Sequence, residues 1–178
     1  MTTEEKRLIK DCSIAVIGAT EFIDSIKAEL QQLGFESIQI ISASDEMPMP
    51  GNVDVIAESV SEGGACLSED VTIPLILPFD FVNGAGVIVV MPDDDRDLLY
   101  KPNLRQWAAN YMVGYCAFWN VEGCEWLRDS LPDIRNGLTS HTALKTAAHI
   151  CARIAANIAV GREVKHFQRF YLCRNMAK

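Results

Sequence analysis

The chain has 178 residues, 49% of them hydrophobic, with a formal net charge of −8 and a pI near 4.8. That length is enough for one domain with a full core, and the apolar fraction excludes a disordered chain. The acidic balance argues against nucleic acid or an anionic membrane as partner, and no apolar run reaches the ~18 residues of a spanning helix.

Residues 4–11 carry the pattern of a short charged helix, and the leading MTTEEKRLIKD has no apolar signal-peptide segment, so a cytoplasmic protein is expected. Ser13–Ser42, SIAVIGATEFIDSIKAELQQLGFESIQIIS, then reads as a β-α-β unit. Ser13–Ile17 is a strand, Gly18 the sharp turn, Glu21–Leu33 a helix, Gly34 its stop and Ser37–Ile41 a second strand. A dinucleotide-binding turn wants G-x-G-x-x-G, the second glycine opening the backbone to a pyrophosphate and the third seating the helix. Gly18, Thr20 and Ile23 hold those places, so the scaffold is present and its ligand contact is altered. Glu21 and Asp24 fall in the first helical turn, where a carboxylate takes the place of a bound anion and repels a triphosphate.

Pro48 and Pro50 in SASDEMPMPGN rule out regular structure there. Val53–Ala57 reads as a third strand, Ser61–Asp70 as a connection and Ile73–Leu77 as a fourth strand, with Pro74 near its start. Asn83-Gly84, between apolar runs, predicts a tight hairpin or bulged turn in which both residues tolerate positive φ. Asn103–Leu127 reads as one helix with Trp107, Tyr111, Tyr115 and Trp119 along a single stripe. Thr139–Val160 is a second long helix, stopped by Gly161 and lined with alanines that let another element approach closely. Val164–Cys173 alternates and predicts a last strand. Buried core plus a homodimer contact is the expectation for the aromatic and Ala-rich helices. The order of elements gives an α/β fold: a single Rossmann-like three-layer domain with a mixed, mainly parallel sheet and a C-terminal helical and strand extension.

Cys12, Cys66, Cys116, Cys124, Cys151 and Cys173 are scattered with no C-x-x-C pair, which predicts free, mostly buried thiols and no zinc site. Asp93, Asp94, Asp95 and Asp97 read as a solvated or helix-capping cluster rather than a cation site. His141 and His149 on the last long helix and His166 on the final strand are expected to be structural, although a sequence does not report spatial adjacency and a Cys–His pair stays open.

The pieces LGFESIQII, VDVIAESV and IPLILPFDFVNGAGVIVVMPD, in this order, resemble the ThiF/MoeB/HesA family of ubiquitin-activating-enzyme-like adenylating proteins over residues 5–92, and more loosely over 139–172. The resemblance implies ATP on the glycine loop, yet Thr20, Glu21 and Ile23 stand where small residues are expected. The family's ribose-binding acid falls on Ser42, with Asp45 three residues too late, and its magnesium-binding aspartate falls on Ser61, leaving Glu58 as the remaining acid of that motif. The segment carrying phosphate-binding basic residues is shortened to a Pro-rich loop, the paired zinc cysteines are absent, and no cysteine sits at the thioester position. Gly18, Thr20, Ser42, Glu58 and Ser61 are therefore the candidate nucleotide-site residues. The expectation is a degenerate, non-adenylating member that binds a small ligand or docks with a small carrier protein or an active homologue. The alternative is an active Rossmann-type enzyme using ATP for adenylation or NAD(P) for redox chemistry.

Overall fold

The computed structural model describes residues 1–42, 52–59 and 72–175. The first helix, α1 (Thr3–Asp11), starts at a capping box in which the Thr2 hydroxyl accepts the Glu5 N–H and the Glu5 carboxylate accepts the Thr2 N–H. This satisfies donors that a helix start otherwise leaves open. After β1 (Ser13–Gly18), α2 (Thr20–Leu33) turns Phe22, Ile23, Ile26 and Leu30 inward at helical spacing. It ends at Gly34, whose φ of 104° is a left-handed cap that L side chains avoid. The chain continues through β2 (Ser37–Ser42), β3 (Val55–Glu58), β4 (Leu75–Asp80) and β5 (Gly84–Val90). A short 3-10 turn at Asp97–Tyr100 leads to α3 (Leu104–Phe118), α4 (Glu125–Arg135), α5 (His141–Ala159) and β6 (Tyr171–Arg174).

The six strands form one sheet in the order β2-β1-β3-β4-β5-β6. The pairings of β1 with β2, β1 with β3 and β3 with β4 are parallel, and those of β4 with β5 and β5 with β6 are antiparallel. Strand alternation sorts the apolar side chains into two cores. Ile14, Val16, Val55, Ala57, Ile76, Val87 and Val89 share one core with residues of α1, α2 and α5. Ala15, Ile17, Ile56, Leu75, Leu77, Ile88 and Val90 share the other with α3, α4 and the 3-10 turn. Central strands covered on both faces read as unbroken apolar runs, which is why SIAVI and LIL show no polar alternation. Each fully buried Ile or Leu in them contributes roughly 1.5–3 kcal/mol. The expected three-layer α/β architecture with its mixed, mainly parallel sheet is the observed one. No helix of the described residues is long and apolar enough to cross a membrane.

Several boundaries differ from the sequence-based expectation. The helix expected over Asn103–Leu127 is two helices, parted at Trp119–Cys124, where Asn120 and Gly123 take positive φ values of 53° and 84°. α4 then runs to Arg135 through an exposed Pro132. In the β4–β5 hairpin the positive φ belongs to Val82 (69°), not to Asn83 or Gly84. The Asp80 carboxylate accepts the Val82 N–H at 2.8 Å and the Phe81 carbonyl accepts the Asn83 N–H at 2.8 Å, which closes the turn one residue early. Gly84 is instead a strand residue. A Cβ there would lie 2.3 Å from the Trp126 ring and 2.5 Å from the Cys173 carbonyl, and one on Gly86 would lie 2.4 Å from the Phe81 ring. The last strand covers only Tyr171–Arg174, so His166 precedes it. The expected connection Ser61–Asp70 lies outside the described residues, as does most of the Pro48/Pro50 segment.

The alanines of α5 are consumed within the chain. Ala143, Ala147, Ala148, Ala152, Ala155 and Ala156 are buried, with α5 packed on α2, β4 and β5, which removes them as a dimer surface. The aromatic stripe is half-covered: Phe167 lies 5.5 Å from Tyr111 and Phe170 lies 5.0 Å from Tyr115, ring centre to ring centre. Trp119, with neighbouring Phe118, is exposed.

Candidate functional site

The chain leaves β1 for β2 on one side and returns to β3 on the other, so the strand order reverses at the carboxyl ends of β1 and β3. In open α/β sheets ligands bind in the crevice at such a point. A cavity of about 330 Å³ lies there, lined by the start of α2 (Ala19, Glu21, Phe22), Ser59 after β3, Asp80 ending β4, Arg105 of α3, and the start of α5 (Ser140, His141).

Two helix N-termini thus border one cavity, each contributing a partial positive charge and unpaired N–H groups. α5 is capped by the Ser140 hydroxyl, which accepts the Ala143 N–H. α2 starts at Ala19, which has no side chain able to cap, so its first N–H groups receive none from that position. Between the two starts, Glu21 and the Nδ1 of His141 meet across the mouth, both side chains more than half exposed.

Behind them Asp80 and Arg105 hold the wall. Arg105 is buried, and its Nε donates to the Asp80 carbonyl at 2.6 Å while its Nη atoms donate to the carbonyls of Ile134 and Leu138. The guanidinium therefore ties the end of β4 to the last turn of α4 and the loop that follows it. The Asp80 carboxylate accepts the Ser140 N–H at 2.8 Å, tying the start of α5 to the end of β4. Burial raises the Asp80 pKa above the usual carboxylate value; the Ser140 and Val82 N–H groups and Arg105 pull it down without winning, and Glu21 adds to the rise.

Of the five residues singled out from the sequence, the sheet brings three together. Gly18 pairs with Ser42 in register, and Ile17 beside it pairs with Glu58. None of these three lines the cavity among the described residues. A Cβ on Gly18 would come within 3.0 Å of the Ser59 Cβ and 3.1 Å of the Phe22 ring, so β1 leaves little room for a side chain there. Glu58 is 1% exposed at the end of β3. Thr20 is exposed as the first residue of α2 and is not part of the lining, and Ser61 lies outside the described residues. Asp80 and Arg105 were not singled out, since FDF and NLR carry no local signature, and the Thr139–Ser140 pair signalled only a helix start; the topology alone brings them to one place.

The other titratable clusters have structural roles. The Asp94 carboxylate accepts the Met91 N–H at 2.7 Å and faces the His166 Nδ1 at 2.9 Å, and Asp95 accepts the Asp97 N–H. His149 pairs with Glu29 at 3.0 Å and receives the Arg153 Nε on its other ring nitrogen, also at 3.0 Å. No group of three or more metal-ligating side chains occurs among the described residues. The chain matches no protein-family model and none of the curated proteins.

Proposed function

We propose that the protein is a ThiF-like Rossmann-type subunit without adenylating activity, which binds a small anionic ligand in the crevice and serves as a docking subunit for a carrier protein or an active homologue. The observation that carries the ligand reading is the junction of two helix N-termini on one cavity at the switch point, with the α2 start lacking a side-chain cap. The altered turn supports the absence of adenylation. Glu21 stands at the first turn of α2 and already engages His141, where a triphosphate would need that space and charge. The alternative, a nucleotide-using enzyme, rests on the same open α2 start. A homodimer, in this reading, uses the exposed Phe118 and Trp119 rather than α5.

Thermal melting with inorganic phosphate, AMP, ATP-Mg, NAD, NADP and S-adenosylmethionine tests the ligand reading. Stabilisation by at least one anionic ligand is expected, a ligand at 100-fold over its dissociation constant adding about 2.7 kcal/mol. Ala19→Asp should strengthen the fold by capping α2 and yet abolish that shift, because the new carboxylate occupies the N–H groups. A flat panel overturns the anion site. Exchange of labelled pyrophosphate into ATP would overturn the non-adenylating reading in favour of the enzyme.

A further inference from the structure

We propose that Cys116 and Cys124 form a redox-active dithiol, oxidised by a small anionic disulfide to a bond that staples α3 to α4. Cys116 is buried in the last turn of α3, and Cys124 is the half-buried residue that opens α4. The Cys116 thiol donates to the Cys124 sulfur at 2.9 Å, within about an ångström of the S–S bond length of roughly 2.05 Å. The joint between them bends through left-handed Asn120 and Gly123, which brings together two thiols that one continuous helix would have kept two turns apart.

The surroundings assign different roles to the two sulfurs. Both line a cavity of about 340 Å³ that also carries Lys165, Arg169 and Arg174, with Glu122 the single carboxylate of that lining. In a chain of net charge −8 this groove is a local basic patch, which draws anions. Cys124 is half-buried at the groove whereas Cys116 is buried behind it, so Cys124 is the attacking group and Cys116 the resolving one. Burial, and then the neighbouring Cys124, pushes the Cys116 thiol up to about 12, in keeping with that order. Cys12, pushed up to about 11 by burial, and the fully enclosed Cys151 have no such partner sulfur among the described residues.

In the first step the Cys124 thiolate attacks one sulfur of the small disulfide. A mixed disulfide forms and one small thiolate leaves. Cys116 then gives its proton to that departed thiolate and attacks the Cys124 sulfur; the second small thiolate leaves and takes from solvent the proton that Cys124 had released. The protein dithiol loses two electrons and two protons, and the small disulfide becomes two thiols.

The full chain is incubated with oxidised glutathione, acid-quenched, unfolded, alkylated and mapped by peptide mass spectrometry. The expected product is a Cys116–Cys124 cross-linked peptide. Cys116→Ser should retain the mixed disulfide on Cys124, and Cys124→Ser should leave Cys116 alkylated as a free thiol. Two alkylated thiols in the unaltered chain, an adduct on Cys124 that never resolves, or an adduct on Cys116 in Cys124→Ser each overturn the proposal. Arg169→Glu with Arg174→Glu should slow the reaction with oxidised glutathione roughly tenfold and leave that with neutral hydroxyethyl disulfide unchanged. Equal slowing of both overturns the anionic selectivity.

Discussion

The two faces of β5 bring helices and sheet together by opposite means. On one face Val87 and Val89 share a core with Ala148, Cys151 and Ala152 of α5, so large residues on the sheet meet small ones on the helix. On the other, Gly84 and Gly86 lie under Trp126 and Met112, so large residues on the helices meet a bare strand backbone. Close packing permits both solutions because only the summed volume between layers is constrained. The difference predicts where each face is intolerant: the α5 face to added bulk on the helix, the α3/α4 face to added bulk on the strand.

The largest effect is expected for Trp126→Ala, which opens a cavity over Gly84 and should cost about 3–5 kcal/mol in urea unfolding. Gly84→Ala alone should cost about 1–3 kcal/mol by overpacking, and less when Trp126 is already alanine. Only part of the cost should be recovered, because the Cys173 carbonyl still stands 2.5 Å from the new Cβ. Strict additivity of the two substitutions would break the account of this face. On the opposite face Ala152→Leu should cost about 1–3 kcal/mol, whereas Trp119→Ala at the exposed end of α3 should stay within about 0.5 kcal/mol.

The smallest effect is a pH dependence at the crevice, where the two faces meet. The folded state holds the Asp80 proton more tightly than the unfolded chain, because burial disfavours the carboxylate. Its contribution is therefore greatest below the ordinary carboxylate pKa and is lost as pH rises through the raised value. Glu4 and Glu5 are shifted the other way, by Arg7 and by the Thr2 backbone N–H respectively, so the whole-protein profile mixes signs. The difference between the unaltered chain and Asp80→Asn isolates the Asp80 share: the unaltered chain should lose stability relative to the variant across that window. A difference that does not change with pH would remove Asp80 as the source.

Much of the architecture was legible because it depends on local periodicity. The apolar run from Ile14 to Ile17, the helical spacing of Phe22, Ile26 and Leu30, and the Gly34 stop each act over a few residues. The hairpin was legible in existence but not in register, since an Asp80 side-chain bond moved the turn to Val82. The helix break at Asn120 and Gly123 was overridden by the four-residue aromatic spacing, which continues to Trp119 and hides the joint. α4 was not read as a separate helix, since the expected span ended at Leu127, the third residue of α4.

The crevice was the least legible part. Gly18 carries the altered phosphate-loop pattern, and the space beside it is limited by Phe22 within that pattern and by Ser59, which only the sheet brings near. From the sequence alone came the α/β class, the β-α-β opening, the altered glycine fingerprint and the acidic composition, because each follows from local composition or spacing. Only the tertiary structure decided that Asp80, Arg105 and the starts of α2 and α5 share one cavity, and that Cys116 touches Cys124. Those meetings depend on strand order and on where a helix bends, which no short stretch of residues encodes.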